Sequence, residues 1–259
     1  MAEETDEHPI VDNQVRIMKA EVIAAAKRTP HLVEVTLRGD DFRAMPDLGP
    51  DAFCYIFAPR PGEERPAVDY DFSWDTWRTQ DPDVRPQGRY YTVRRFRPSL
   101  GEVDFQMLLH GAGPLSTWAE TAAPGQHVAL WGPRASFRLP SNDAPLLLAA
   151  DHSGLPALSR ILESLPSDAR GRAFVELDSQ EDRQDTDGPP GVSVEWLVRG
   201  STDRGALLMD AVSACDIAPG AYAWVAAETG VVGRIRAHLR GAKGMAPKAV
   251  CAIGYWQAE

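Results

Sequence analysis

The chain of 259 residues predicts a β + α/β protein, with an N-terminal antiparallel β-barrel followed by a doubly wound parallel sheet. Three observations predict it. Short stretches of apolar and polar alternation fill the first half. From near Ser141 onward, uninterrupted apolar runs alternate with helical spacing. The length exceeds one typical domain and supplies apolar residues for two cores. The divisions expected are a flexible N-terminus over 1–14, a barrel over 15–138 and an α/β domain over 139–259.

Within Leu32–Arg38, Val33, Val35 and Leu37 share one face of a half-buried strand. Phe53–Phe57 reads as a second strand and Arg89–Arg94 as a third. In the next, Val103, Phe105, Met107 and Leu109 form one face, which sets His110 on the opposite face beside Leu108, Gln106 and Asp104. His127–Trp131 follows as a strand. Short antiparallel strands of this kind protect their hydrogen-bonding edges by closing into a barrel. The segment 59–87, rich in Pro, Asp and Trp, reads as a surface loop pinned by Trp74 and Trp77.

Pro145–Ala150 is apolar throughout, as a strand covered on both faces requires. Leu158, Ile161, Leu162 and Leu165 then carry helical spacing over Leu155–Leu165. Strands at Ala173–Leu177, Val192–Val198, Ala221–Ala226 and Ala249–Ile253 alternate with helices at Ala206–Val212 and Val231–Leu239, and Gln180–Gly191 is a polar loop. Strands alternating with helices imply a parallel sheet that binds ligands at the carboxyl ends of its strands.

Composition excludes several classes of function. With 27 Lys and Arg against 37 Asp and Glu, the net charge of −10 argues against a broad nucleic-acid or anionic-membrane surface. Met1–Asp12 is acidic and lacks the apolar core of a signal peptide, and no run of about 18 apolar residues is present to span a bilayer. A soluble cytoplasmic protein is expected. Cys54, Cys215 and Cys251 are far apart in apolar surroundings, which suits buried thiols better than disulfides or an iron-sulfur cluster. The six histidines are too dispersed to build a metal site.

Arg89-Tyr90-Tyr91-Thr92-Val93-Arg94 is the most informative stretch. Arg-x-Tyr-Thr on a strand suits a flavin's phosphate and ring together, although an ordinary amphipathic strand has the same pattern. About 20 residues on, a strand ends in His110-Gly111-Ala112-Gly113, and a helix opens at Pro114-Leu115-Ser116-Thr117-Trp118. Its free N–H groups favour a pyrophosphate, while a glycine turn capped by hydroxyls is the plain alternative. Two such features in one barrel strengthen the flavin reading.

Asp151-His152-Ser153-Gly154 ends the first parallel strand, where a dinucleotide or reacting group approaches, or where Asp151 and Ser153 merely cap the helix. The turn lacks Gly-x-Gly-x-x-Gly, and it lacks the Gly-x-Ser-x-Gly of a serine hydrolase. Glu228 ends a later strand and either orients a substrate or nicotinamide amide or starts a helix. Trp256 suits stacking on a flat ring or anchoring in a core.

Taken together in order and spacing, these pieces resemble the siderophore-interacting protein family, the FAD-dependent ferric-siderophore reductases of the ferredoxin-reductase-like superfamily. The resemblance covers about Val15 to Trp256 and rests on Arg89–Arg94, Val103–Gly111, Gly113–Ala119, Pro124–Arg134, Asp151–Ala157, Trp224–Glu228 and Gly254–Trp256. It implies a six-stranded FAD-binding barrel and a nucleotide-binding-like α/β domain. It further implies FAD contacts from Arg89, Tyr91, Thr92, Val93, His110, Gly113, Leu115, Ser116, Thr117, Trp118 and Trp256. Arg89 would pair with a phosphate, Tyr91 would pack on the ring or ribityl, and Thr92 would bond near the reactive flavin nitrogen. Thr92, Asp151 and Ser153 are the expected catalytic residues, and Arg134, His152, Arg199 and Glu228 the expected substrate or nicotinamide contacts.

By the same resemblance NAD(P)H or a ferredoxin supplies electrons, and a ferric siderophore receives them. No resident metal is expected. The chain departs from the family pattern at His152, where an acid is usual, at Ala227 in place of glycine, and at Gln257 in place of arginine. Two further readings stay open. One is a flavoprotein recruited to a biosynthetic pathway with FAD in a structural or non-redox role. The other is a non-catalytic siderophore-binding module.

Overall fold

A computed structural model describes residues 14–138 and 144–258, so the expected loose N-terminus and the junction near Ser141 lie outside the described residues. The chain divides into two compact units, one running to Ala135 and the other continuing from Ser136.

The first unit contains β1 (Arg16–Thr29), β2 (Leu32–Arg38), β3 (Phe53–Phe57), α1 (Trp74–Thr79), β4 (Gly88–Arg97), β5 (Glu102–Leu108), α2 (Pro114–Thr121) and β6 (His127–Arg134). The six strands close into the predicted barrel in the order β1-β2-β5-β4-β3-β6, with β6 returning antiparallel to β1. Alternation decides what faces inward: Met18, Ala20, Val22, Val33, Val35, Leu37, Cys54, Ile56, Val103, Phe105 and Met107 fill the interior. On the other face of β5, Arg97 donates to both oxygens of Asp104 at 2.7 and 2.6 Å and to Glu102 at 3.0 Å. Arg38 holds the second oxygen of Glu102 at 2.5 Å.

The segment 59–87 does pack on the barrel through its tryptophans. Trp74 meets Tyr55 and Trp131 edge-on, and Trp77 donates its indole N–H to the Pro86 carbonyl at 2.7 Å. The predicted loop carries a short helix, α1, that Ser73 caps through the backbone N–H groups of Asp75 and Thr76.

The second unit contains β7 (Leu146–Asp151), α3 (Leu155–Ser164), β8 (Gly171–Leu177), β9 (Val192–Val198), α4 (Ala206–Ala214), β10 (Tyr222–Glu228), α5 (Thr229–Gly241) and β11 (Val250–Trp256). The strands form a parallel sheet in the order β11-β10-β7-β8-β9. Leu146, Leu148 and Ala150 of β7 pack with α3, while Leu147 and Ala149 pack with α4 and α5. Helices on both faces explain why β7 is apolar from Leu146 to Ala150. No described helix is long and apolar enough to cross a membrane.

Candidate functional site

In the barrel, β4 presents alternate faces. Tyr91 opposes Cys54 and packs against the interior, and burial pushes its phenol up to about 12, so it stays neutral. Arg89 opposes Ile56, donates to the Gly88 carbonyl at 2.8 Å, and places its charge beside Tyr55 and Tyr91. Val93 is buried and donates its N–H to the Ala52 carbonyl at 2.7 Å, one residue before β3 begins. Thr92 is buried and opposes Phe53, which in turn opposes Arg134. Opposed residues share a face, so Thr92, Phe53 and Arg134 form one rung. Arg134 lies over the Phe53 and Trp131 rings at 5.8 and 5.2 Å and donates to the Tyr90 hydroxyl at 3.4 Å.

Helix α2 packs against β2, β4 and β5, and its Leu115 and Trp118 join Tyr91 in the barrel core. The chain enters the helix through Gly113 at φ 80°, a conformation that favours glycine, with Pro114 in the first turn and no side-chain cap. A Cβ at Gly113 would meet nothing within 4 Å, so the backbone there is open to a ligand. Ser116 is buried and turns its hydroxyl back to accept the His110 N–H at 3.0 Å. The Thr117 hydroxyl bonds the Gly113 carbonyl at 3.1 Å.

His110 is not on a strand face, because β5 ends at Leu108 and His110 stands exposed in the following turn. The Trp118 indole N–H is buried and meets no acceptor among the described residues. An open glycine entry, an uncapped helix start, an orphaned N–H and the Arg89 charge beside Tyr91, which shares the Trp118 cluster, fit a flat ring carried on a diphosphate.

In the α/β unit the expected residues divide into two groups. Asp151 is the centre of one. Its Oδ1 accepts from Ser153 N at 2.8 Å, Ser153 Oγ at 2.5 Å and Gly154 N at 3.3 Å. Its Oδ2 accepts from Glu228 N at 3.0 Å and Trp256 Nε1 at 2.8 Å. One carboxylate thus ties together the carboxyl ends of β7, β10 and β11. Thr229 Oγ1 also holds the Trp256 carbonyl at 2.8 Å.

Glu228 caps α5, accepting from Val231 N at 2.9 Å and from Ala258 N at 3.4 Å; the Gly230 and Val231 N–H groups hold its carboxyl below the usual value. His152 is buried at the same turn. Ala227 points its methyl into the core beneath α4 and α5. Arg199 stands apart on the far edge strand's end, donating to Asp178 at 2.5 Å and Thr202 O at 3.1 Å, and the bond to Asp178 raises its pKa. Gln257 is exposed.

Sequence reasoning missed Arg204, whose guanidinium lies 4.8 Å from the Trp256 ring centroid. Its one sequence signal is position, just before Gly205 at the opening of a helix that follows a parallel strand.

Residues 21–137 match the family model described as a siderophore-interacting FAD-binding domain, and residues 144–259 match that of the siderophore-interacting protein. The ferric vibriobactin reductase of Vibrio cholerae is 32% identical over 88% of this chain and 84% of its own. The NADPH-dependent ferric-chelate reductase of Escherichia coli is 27% identical over 96% of each chain. A crystal structure of a siderophore utilization protein from T. fusca superposes with a TM-score of 0.84 at 26% identity, covering 96% of this chain and 95% of that one. With both units matched in order and a relative above 30% identity along most of its length, the chain belongs to the siderophore-interacting protein family and carries that family's FAD-binding domain.

Proposed function

We propose that the chain is an FAD-dependent oxidoreductase that reduces iron(III) held in a siderophore, using NADPH, NADH or a reduced ferredoxin as donor. The observation that carries the reading is the pairing, in one barrel, of the Arg89–Thr92 strand with a glycine-entered helix start that has no side-chain cap. The names of the two relatives, a ferric vibriobactin reductase and an NADPH-dependent ferric-chelate reductase, support the same direction.

Arg89 and the amino end of α2 bind the phosphates, and Gly113 lets the backbone approach them. Tyr91 supplies a neutral aromatic wall, and Thr92 offers a hydroxyl to the ring's edge. When bound, FAD would couple a nicotinamide's electron pair, or single electrons from a ferredoxin, to a one-electron acceptor. Arg134, on the same rung as Thr92 with Phe53 between them, supplies positive charge for an anionic ferric chelate. Iron(II) is held far more weakly than iron(III) by hard oxygen ligands, so reduction alone loosens the metal. No acid or base is required of Asp151 or Ser153, whose polar groups bond each other.

The test is a visible spectrum of the purified protein, followed by anaerobic titration with NADPH, NADH and reduced ferredoxin, and then addition of ferric chelates with a ferrous indicator. Bleaching of the flavin by one donor and its return on adding chelate, with ferrous iron formed, is the expected result. A protein that binds FAD but, once chemically reduced, reduces no ferric chelate is not a reductase. Arg89→Met is expected to weaken FAD binding about tenfold or more, read by quenching of flavin fluorescence.

A further inference from the structure

Residues 229 to 258 contain no aspartate or glutamate, in a chain whose net charge is −10, yet they carry Arg234, Arg236, Arg240, Lys243 and Lys248. The fold gathers the last four at one place. Arg236 and Arg240 stand one turn apart on α5. Arg240 donates to the Pro247 carbonyl at 3.4 Å, which brings Lys248 beside it, and Lys243 reaches the Cys215 carbonyl at 2.9 Å. Between them the chain folds back on the helix end, Lys243 N donating to His238 O and Met245 N to Leu239 O. Val250 opens β11 here, so the cluster sits at the amino edge of the parallel sheet, opposite the edge that holds Asp151, Glu228 and Trp256.

None of these four cations makes an ion pair with another described residue, and the carbonyls that Arg240 and Lys243 bond are neutral. The elements packed on α5, which are β10, β11 and α4, offer Glu228, which caps the far end of the helix, and Asp210. Acids elsewhere on the chain are screened at physiological salt beyond about 8 Å. The helix dipole accounts for a cation in the last turn of α5, but Lys243 and Lys248 lie beyond the helix. Exposed positions among the cations are small: Ala237, Gly241, Ala242, Gly244 and Ala246. The apolar side of α5, with Val231, Val232, Ile235 and Leu239, is buried in the core. A protein interface draws its affinity from aromatic and apolar anchors at its centre, and this face presents none. A layer of anionic headgroups asks only for charge, and about four to eight clustered cations on an amphipathic helix suffice.

We propose that the cluster of Arg236, Arg240, Lys243 and Lys248 docks the chain on an anionic lipid surface, leaving the carboxyl edge of the sheet free. The docking involves no electron transfer and stands apart from the reductase reading.

The test mixes the FAD-loaded protein with vesicles of phosphatidylcholine, alone or with phosphatidylglycerol, and reads the fraction that sediments with the lipid across a salt series. Wild type is expected to sediment with the anionic vesicles, to leave them as salt rises, and to ignore the neutral ones. Arg236→Gln combined with Lys248→Gln is expected to lower the partition constant about 25-fold, about fivefold for each cation removed. Lys27→Gln combined with Arg65→Gln, which removes two exposed cations of the barrel, is expected to leave it within about twofold. A barrel pair that loses as much as the α5 pair overturns the proposal, because binding then follows net charge alone. Wild type that ignores the anionic vesicles at low salt overturns it as well; if that protein binds polyglutamate through Arg236 and Lys248, the face belongs to an acidic protein. The wild-type salt series and the contrast between the two vesicles decide the matter even where a variant fails to fold.

Discussion

Asp151→Asn is the most exacting perturbation the geometry offers. The carboxylate is buried, and its two oxygens receive three and two donors respectively. An asparagine can satisfy only one set. If its oxygen faces Ser153 and Gly154, its NH₂ confronts the Glu228 N–H and the Trp256 indole N–H, and two bonds to a charged acceptor become donor-to-donor contacts. The opposite flip sacrifices three bonds, so the first orientation sets the smaller loss. At about 1.5–3 kcal/mol for each of the two bonds to a charged group, the cost is about 3–6 kcal/mol. For a unit of this size that lowers the melting temperature by roughly 12–24 °C. Far-UV circular dichroism gives the shift, and faster amide exchange at Glu228 and along the first turn of α5 localises it. A shift under about 4 °C would refute the reasoning, since it would mean that five convergent donors contribute no more than one ordinary bond.

The barrel ladder makes acid sensitivity predictable. Against burial, which pushes the Asp104 carboxyl up, its bonds to Arg97 hold it below the usual value, and Arg38 and then Arg97 do the same for Glu102. Their contribution is present above the ordinary carboxyl range of about 4 and is lost as pH falls through the lower folded values. The stability gap between wild type and Asp104→Asn, measured by urea unfolding, is therefore expected to shrink below about pH 4; a gap constant from pH 7 to pH 3 contradicts this. Gly205→Ala must hold alanine at φ 76° and press a methyl into Val231, a cost of roughly 3 kcal/mol seen as a lower urea midpoint. Burial pushes the Cys54 thiol up to about 12, so it should resist a disulfide reagent at pH 8 in the folded protein and react once the protein is unfolded.

The fold was legible where physics is local. Uniform apolarity at Leu146–Ala150 announced a strand covered on both faces, and the leucines of α3 announced the helix behind it. Trp74 and Trp77 announced a loop packed on the barrel. What stayed hidden depends on distant partners. β1 escaped separate notice because Ala24, Ala25 and Ala26 break its alternation, and its pairing shifts register between Val22 and Ala24. His110 read as a strand residue because alternation runs smoothly to Leu109, whereas the ladder ends at Leu108. Asp151 looked like a reacting group or a local cap. Its tie to Trp256 spans 105 residues and its tie to Glu228 spans 77, and no pattern near Asp151 reports either. Arg204 carried no motif and became visible only when its loop reached the end of β11.

A helix that begins on Gly113 without a side chain over its first N–H groups forgoes a few tenths of a kcal/mol that a capping side chain supplies elsewhere. Any phosphate-bearing ligand seated at that end restores the missing contacts, and the barrel's unfolding free energy then rises with the logarithm of ligand concentration. If the proposed flavin diphosphate is that ligand, the folded population becomes a gauge of its supply, and a cell short of flavin leaves this helical turn freer to fray.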